Sequence, residues 1–157
     1  PPPSAPRLLV MNALPTGTVT FLFSDVEGST QLVRTSGGAY AGLIADVRRL
    51  LRKEIEANGG TQVDATGDEI SAVFQEVQPA LSAALAGQER IRDHTWPDGI
   101  VVKVRMGLHT GVPHLGEEGY TGLDVIRASR IAAAGHGGQV LLSSTAAPFV
   151  TAVEWTP

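Results

Sequence analysis

With 157 residues, 43% of them hydrophobic, the chain is long enough for one domain with a sizeable core. A net charge of −4, no Lys/Arg run and only 5% aromatic residues argue against a nucleic-acid partner, which calls for basic and stacking surfaces. The lack of cysteine removes disulfides, thiolate metal sites and a cysteine nucleophile, and it fits a cytoplasmic, reducing setting. No apolar run approaches the ~20 residues of a membrane span, so no membrane contact by this segment is expected.

The first residues, Pro1-Pro2-Pro3-Ser4-Ala5-Pro6, cannot form a helix interior, and residues 1–16 read as a Pro-rich leader or linker. Residues 17–157 read as one domain. Thr18 to Ser24 alternates and is rich in Val, Thr and Phe, which predicts a buried strand. Tyr40, Leu43, Ile44, Val47, Leu50, Leu51 and Ile55 recur at helical spacing opposite Arg48, Arg49, Arg52 and Lys53, and Asn58-Gly59-Gly60 stops that helix. Thr61 to Ala65 and Glu69 to Phe74 predict two strands joined around Thr66-Gly67-Asp68.

Pro79 lies just inside a second helix that carries Leu81, Ala84, Leu85 and Ile91. Ile100 to Leu108 is strongly β-branched and predicts a central strand, and the polar, glycine-rich Leu115 to Thr121 predicts an exposed loop. Asp124 to Ala134 predicts a short helix ended by Gly135-His136-Gly137-Gly138. Val140 to Ser143 then predicts a strand, and Ser144 to Phe149 the start of another helix. The order β-α-β-β-α-β is ferredoxin-like, an antiparallel sheet flanked by helices, extended here by one more helix and strand. The first two strands of such a unit run in the same direction and end at one sheet edge.

That topology brings two sequence-distant carboxylates together. Asp25 leaves the first strand and Asp68 sits in the turn after the second, so the pair can hold a divalent cation through hard oxygen donors. Singly, Asp25 equally reads as a turn cap and Asp68 as a hairpin residue. Gly28-Ser29-Thr30 offers backbone N–H groups to a phosphate, with Ser29 equally a helix N-cap. Arg105, inside a β-prone run, needs a partner if it points inward, or else lies on a solvated face. Arg127 and Arg130 lie three apart on one helix. His94, His109, His114 and His136 have no metal-ligand spacing and read as structural or surface residues.

Four segments in order resemble the class III nucleotidyl cyclase catalytic domain: Phe23-Ser24-Asp25-Val26-Glu27-Gly28-Ser29-Thr30, Ala65-Thr66-Gly67-Asp68, Val104-Arg105-Met106-Gly107-Leu108-His109-Thr110-Gly111 and Arg127-Ala128-Ser129-Arg130-Ile131. The bacterial branch with Asp-Val/Ile-Glu-Gly-Ser-Thr is the nearest in pattern, and Ala134-Gly135-His136-Gly137-Gly138-Gln139-Val140 continues the resemblance.

The resemblance implies conversion of ATP or GTP to a 3′,5′-cyclic nucleotide and pyrophosphate, with two Mg²⁺ or Mn²⁺ ions per site, in a homodimer whose sites lie between the two copies. It implies Asp25 and Asp68 as metal ligands, with Val26 lending a carbonyl. Gly28, Ser29 and Thr30 would line the phosphates, Arg105 would bind the triphosphate, and Arg130 would stabilise charge in the transition state.

Departures from the pattern fall on the readers of the substrate. Where adenylyl cyclases place a lysine and an aspartate that read adenine, this chain has Asp64 and Gly119, with Glu118 one residue away. Ile126 replaces the ribose-orienting asparagine. Each lost polar reader costs about 1–3 kcal/mol. Guanylyl cyclases place a glutamate at the Asp64 position, which points to a weak GTP preference. The chain stops at Trp155-Thr156-Pro157, before the segment where the family places a triphosphate-binding lysine, so the domain is expected to be shortened. Two functions follow: a weak cyclase aided by Mn²⁺, or a degenerate cyclase-homology domain that senses nucleotide or dimerises.

Overall fold

A computed structural model describes residues 14–151. Residues 1–13 of the expected 1–16 leader, and the terminal Trp155-Thr156-Pro157, lie outside the described residues. The elements run β1 (Val19–Val26), α1 (Ser29–Ser36), α2 (Tyr40–Ala57), β2 (Thr61–Asp64), β3 (Ile70–Phe74), α3 (Val77–Asp93), β4 (Val104–Gly111), β5 (His114–Gly116), β6 (Gly119–Thr121), α4 (Leu123–Ala134) and β7 (Val140–Leu142).

Five strands form one sheet in the order β2-β3-β1-β4-β7, antiparallel throughout except for the added β4–β7 pair. The first four strands in that order make the ferredoxin-like sheet the sequence predicts, and α4 and β7 are its extension. β1 and β2 run in the same direction, with β3 between them.

Alternation along the strands sorts side chains between two layers. Leu22 and Val26 of β1 and Val104, Met106 and Leu108 of β4 meet α2 and α3 in the main core, where Leu43, Ile44, Val47, Leu51 and Ile55 supply the α2 stripe. Burial of each such side chain stabilises the fold by about 1.5–3 kcal/mol. Val19 and Phe21 face the opposite way and pack with Val73, Ala128, Val125 and Tyr120 under α4. Helix α4 approaches closely because β4 carries Gly107: a Cβ there would lie 2.5 Å from the Ala132 backbone nitrogen.

Several predicted boundaries move. β1 continues to Val26 because its ladder with β4 runs through Asp25↔Arg105 and Val26↔Val104. β4 begins at Val104: before it the Lys103 carbonyl takes the Glu27 N–H of the neighbouring chain segment at 2.9 Å, while the Ile100 N–H turns back to the Pro97 carbonyl. The expected loop Leu115 to Thr121 is instead a hairpin, β5 and β6, around Glu117-Glu118. Ser144 to Phe149 makes only a short 3₁₀ turn at Ala147–Phe149.

Candidate active site

The β1–β4 register sets Asp25 directly opposite Arg105, on the sheet face that α4 covers. The Arg105 guanidinium grips the carboxylate with both arms: Nε donates to Oδ1 at 2.8 Å and Nη2 to Oδ2 at 2.5 Å. Its remaining arm, Nη1, donates to the Ala133 carbonyl at 3.2 Å, in the last turn of α4 where unpaired carbonyls are electronegative. Of the two placements open to Arg105, inward and paired is the one observed. The bond to Asp25 is the first cause that holds its pKa above the usual arginine range.

Asp68 arrives from the turn between β2 and β3. Its Oδ2 accepts the Val26 N–H at 3.1 Å, which draws the turn onto the residue that follows Asp25. Arg48 of α2 donates through Nη2 to the Gly67 carbonyl and ties the same turn to the helical layer. Glu69 is an exposed residue beside this group; partial desolvation first, then the charges of Asp25, Asp68 and Asp64, raise its pKa. Tyr40 is also raised, by burial and then by Asp68.

Gly28 takes a left-handed backbone (φ 64°) and caps α1, so Ser29 is the first helical residue and makes no side-chain cap. The N-cap alternative for Ser29 is thereby corrected: glycine adopts the turn that a side chain would resist. The first N–H groups of α1 have no carbonyl within the helix to bond. A cavity of about 620 Å³ opens beside them, lined by Glu27, Gly28, Gln31 and Thr35 among others. Glu27 is clamped from outside: its Oε1 accepts the Gly137 N–H at 3.0 Å. A Cβ at Gly137 would sit 2.5 Å from the Lys103 Cβ and 2.6 Å from Glu27 Oε2.

The remaining predicted positions lie apart from this cluster. Asp64 is exposed, and its Oδ1 accepts the Ala65 N–H at 2.7 Å and the Thr66 hydroxyl at 3.2 Å, a local turn cap. Gly119 closes the β5–β6 turn at φ 105°, a conformation that suits glycine and leaves no side chain to read a base. Ile126 is 48% exposed on α4. Arg130 is exposed and borders a cavity of about 490 Å³ with His109, Arg127 and Thr145, whose lining includes neither Asp25 nor Asp68.

His109 is structural, as expected: buried, with Nε2 2.7 Å from Asp124 Oδ1, while Asp124 Oδ2 accepts the Val112 N–H at 3.0 Å. Sequence reading missed Arg48, Glu69, Asp124 and the Glu27–Gly137 clamp. Only the clamp had a signal, since both of its residues lie inside quoted motifs.

Asp25, Asp68 and the Val26 carbonyl are hard-oxygen donors of the kind that could hold Mg²⁺ or Mn²⁺, and in this structure the Asp25 carboxylate is neutralised by the Arg105 guanidinium. Among the described residues no three His, Asp or Glu side chains gather into a metal cage. Mg²⁺ needs none where phosphate oxygens and water complete its shell.

A family model described as the adenylate and guanylate cyclase catalytic domain matches residues 11–155. An uncharacterised protein of Mycobacterium bovis is 37% identical over 139 residues, covering 87% of this chain and 46% of its own length. An adenylate cyclase of Podospora anserina is 31% identical over 156 residues, covering 83% of this chain and 7% of its own length. The chain thus spans less than half of either relative. A solved adenylate cyclase from Trypanosoma brucei, in its monomeric state, superposes with a TM-score of 0.81 at 22% identity, covering 88% of this chain and 78% of that one, which shows a shared fold. The chain belongs to the adenylate and guanylate cyclase catalytic domain family.

Proposed function

We propose that this domain is a nucleotidyl cyclase of low activity, converting ATP or GTP to a 3′,5′-cyclic nucleotide and pyrophosphate at the interface of a cytoplasmic homodimer. The observation that supports this reading is the Asp68–Val26 hydrogen bond, which ties the second carboxylate to the residue that follows Asp25.

Asp25, Asp68 and the Val26 carbonyl would hold two divalent cations, Mg²⁺ or Mn²⁺, which when bound would supply Lewis-acid activation of the ribose 3′-hydroxyl and charge neutralisation at the pyrophosphate. Gly28, Ser29 and Thr30 present N–H groups to the phosphates, and Arg105 binds the triphosphate. Arg130 borders a different cavity in its own chain; as the family resemblance implies, it would serve the metal pair of a second copy and stabilise the charge of the pentavalent transition state. Exposed Val112, Leu123 and Ile126 supply an apolar strip for that copy to cover.

The base pocket supports a second reading. Asp64 spends one oxygen on its own turn, Gly119 has no side chain and Ile126 cannot donate to ribose. These features favour a domain that binds nucleotide and metal without turnover, as a sensor or dimerisation module. Cyclic-nucleotide formation from ATP and from GTP with Mn²⁺, against Asp25→Ala as the blank, separates the two. Product above the blank, with GTP preferred through Asp64, supports the cyclase. No product from a dimer that binds metal and nucleotide establishes the sensor.

A further inference from the structure

The proposed reading gives Asp25 and Arg105 different ligands, a cation and a triphosphate, yet the two side chains bind each other. Both carboxylate oxygens of Asp25 are taken, at 2.8 and 2.5 Å, by the Nε and Nη2 groups of Arg105. The pair is partly buried, with side chains 27% and 15% exposed, so water screens it less than a surface pair. A cation cannot take a full share of Asp25 without loosening this fork, and a phosphate cannot take Nε and Nη2 without the same loss. The third arm is spent on the Ala133 carbonyl, which holds the guanidinium in position while the fork opens. Register keeps the two residues opposite each other whether the fork is closed or open: Asp25 and Arg105 are cross-strand partners of β1 and β4, held by a ladder from Val19↔Gly111 to Val26↔Val104.

We infer that the Arg105–Asp25 fork is an interlock that resists a divalent cation or a triphosphate arriving alone and yields to the two together, each raising the affinity for the other. The inference rests on the assignment of Asp25 to metal and Arg105 to triphosphate. Its physical basis is that both ligands displace one contact: whichever binds first bears the cost of opening it, and the second finds its partner released. A released guanidinium meets the triphosphate as a bidentate donor, a geometry that lysine cannot reproduce.

The test is Mn²⁺ binding to the whole chain without nucleotide, followed by electron paramagnetic resonance, in wild type, Arg105→Gln and Asp25→Ala. Glutamine keeps a polar side chain but forfeits the charged fork, so Arg105→Gln should bind Mn²⁺ about tenfold or more tightly than wild type, as expected when the binding-competent state is otherwise a minor population. Asp25→Ala should bind little or none. Equal or weaker Mn²⁺ binding by Arg105→Gln, with Asp25→Ala still silent, would leave the metal site standing and overturn the interlock. If no variant binds Mn²⁺, the metal assignment itself fails, and the interlock with it.

A second measurement needs no substitution and covers a poorly folding variant. The Arg105 Nε–H resonance of the wild-type chain, protected in the fork, should shift and exchange faster as Mg²⁺ is added. A resonance that stays fixed while Mg²⁺ binds would contradict the proposal.

Discussion

Asp68 accepts the Val26 N–H at 3.1 Å across 42 residues of sequence, and this one bond joins the β2–β3 turn to the end of β1. It lets charge and scaffold be separated. Asparagine at position 68 keeps an oxygen that can accept the Val26 N–H but has no charge for a cation. Asp68→Asn should therefore unfold within about 0.5 kcal/mol of wild type yet lose Mn²⁺ binding. Asp68→Ala loses both functions and should cost about 1–2 kcal/mol. Chemical denaturation beside Mn²⁺ titration checks this, and equal metal binding by Asp68→Asn would remove Asp68 from the ligand set.

Much of this arrangement is legible in the sequence. Periodicity locates α2 and the α3 stripe, and the β-α-β-β-α-β order gives the sheet and brings the Asp68 turn to the end of β1. Motif order gives the family. What escapes is the lateral detail. No local pattern tells that Arg105 points under α4, because that depends on the β1–β4 register and on the close approach that Gly107 permits. Arg48 reads as one more cation on a solvated helix face, and its bond to the Gly67 carbonyl exists only once α2 lies beside the turn. The Leu115 to Thr121 hairpin was hidden because two glycines and two glutamates look like a loop until Gly116 pairs with Gly119.

The Glu27–Gly137 clamp predicts a sharp intolerance. Alanine at 137 forces its Cβ against the Lys103 Cβ, which the β4 lead-in holds in place, and against the Glu27 carboxylate. Gly137→Ala should destabilise the chain by about 1–3 kcal/mol. Thermal unfolding should then show a Tm lower by roughly 2–10 °C. An unchanged Tm would mean that the α4–β7 loop moves freely and that no clamp operates.

Asp124 bonds His109, the Val112 N–H and, at 3.5 Å, Arg127. The His109 bond is the first cause that holds its pKa below the ordinary 3.8. A carboxylate with a depressed folded pKa contributes stability that is complete above the ordinary value and fades as pH falls through the folded one. Asp124→Ala should cost about 1–3 kcal/mol at neutral pH. The gap to wild type should narrow in acid, below 3.8. Denaturation across that range measures it, and a gap independent of pH would show that the ionic character of the contact is irrelevant.

Glu69 has the opposite sign. Partial desolvation and the charges of Asp25, Asp68 and Asp64 raise its pKa above the ordinary 4.5, so its ionised form opposes folding and that cost grows as pH rises through the folded value. Glu69→Gln should raise the Tm at neutral pH and lose that advantage below the ordinary value of 4.5. Added Mg²⁺ should shrink the gain, because a cation on the neighbouring carboxylates relieves the same repulsion. A lower Tm for Glu69→Gln at neutral pH would contradict this.

If Asp25 and Asp68 of one copy work with Arg130 of another, mixing two dead variants rebuilds an active site. Asp25→Ala and Arg130→Ala should each abolish cyclic-nucleotide formation, and their equimolar mixture should recover about a quarter of wild-type activity, since half of the dimers then hold one intact composite site. No recovery from a mixture that forms heterodimers, beside an active wild type, would contradict the shared site.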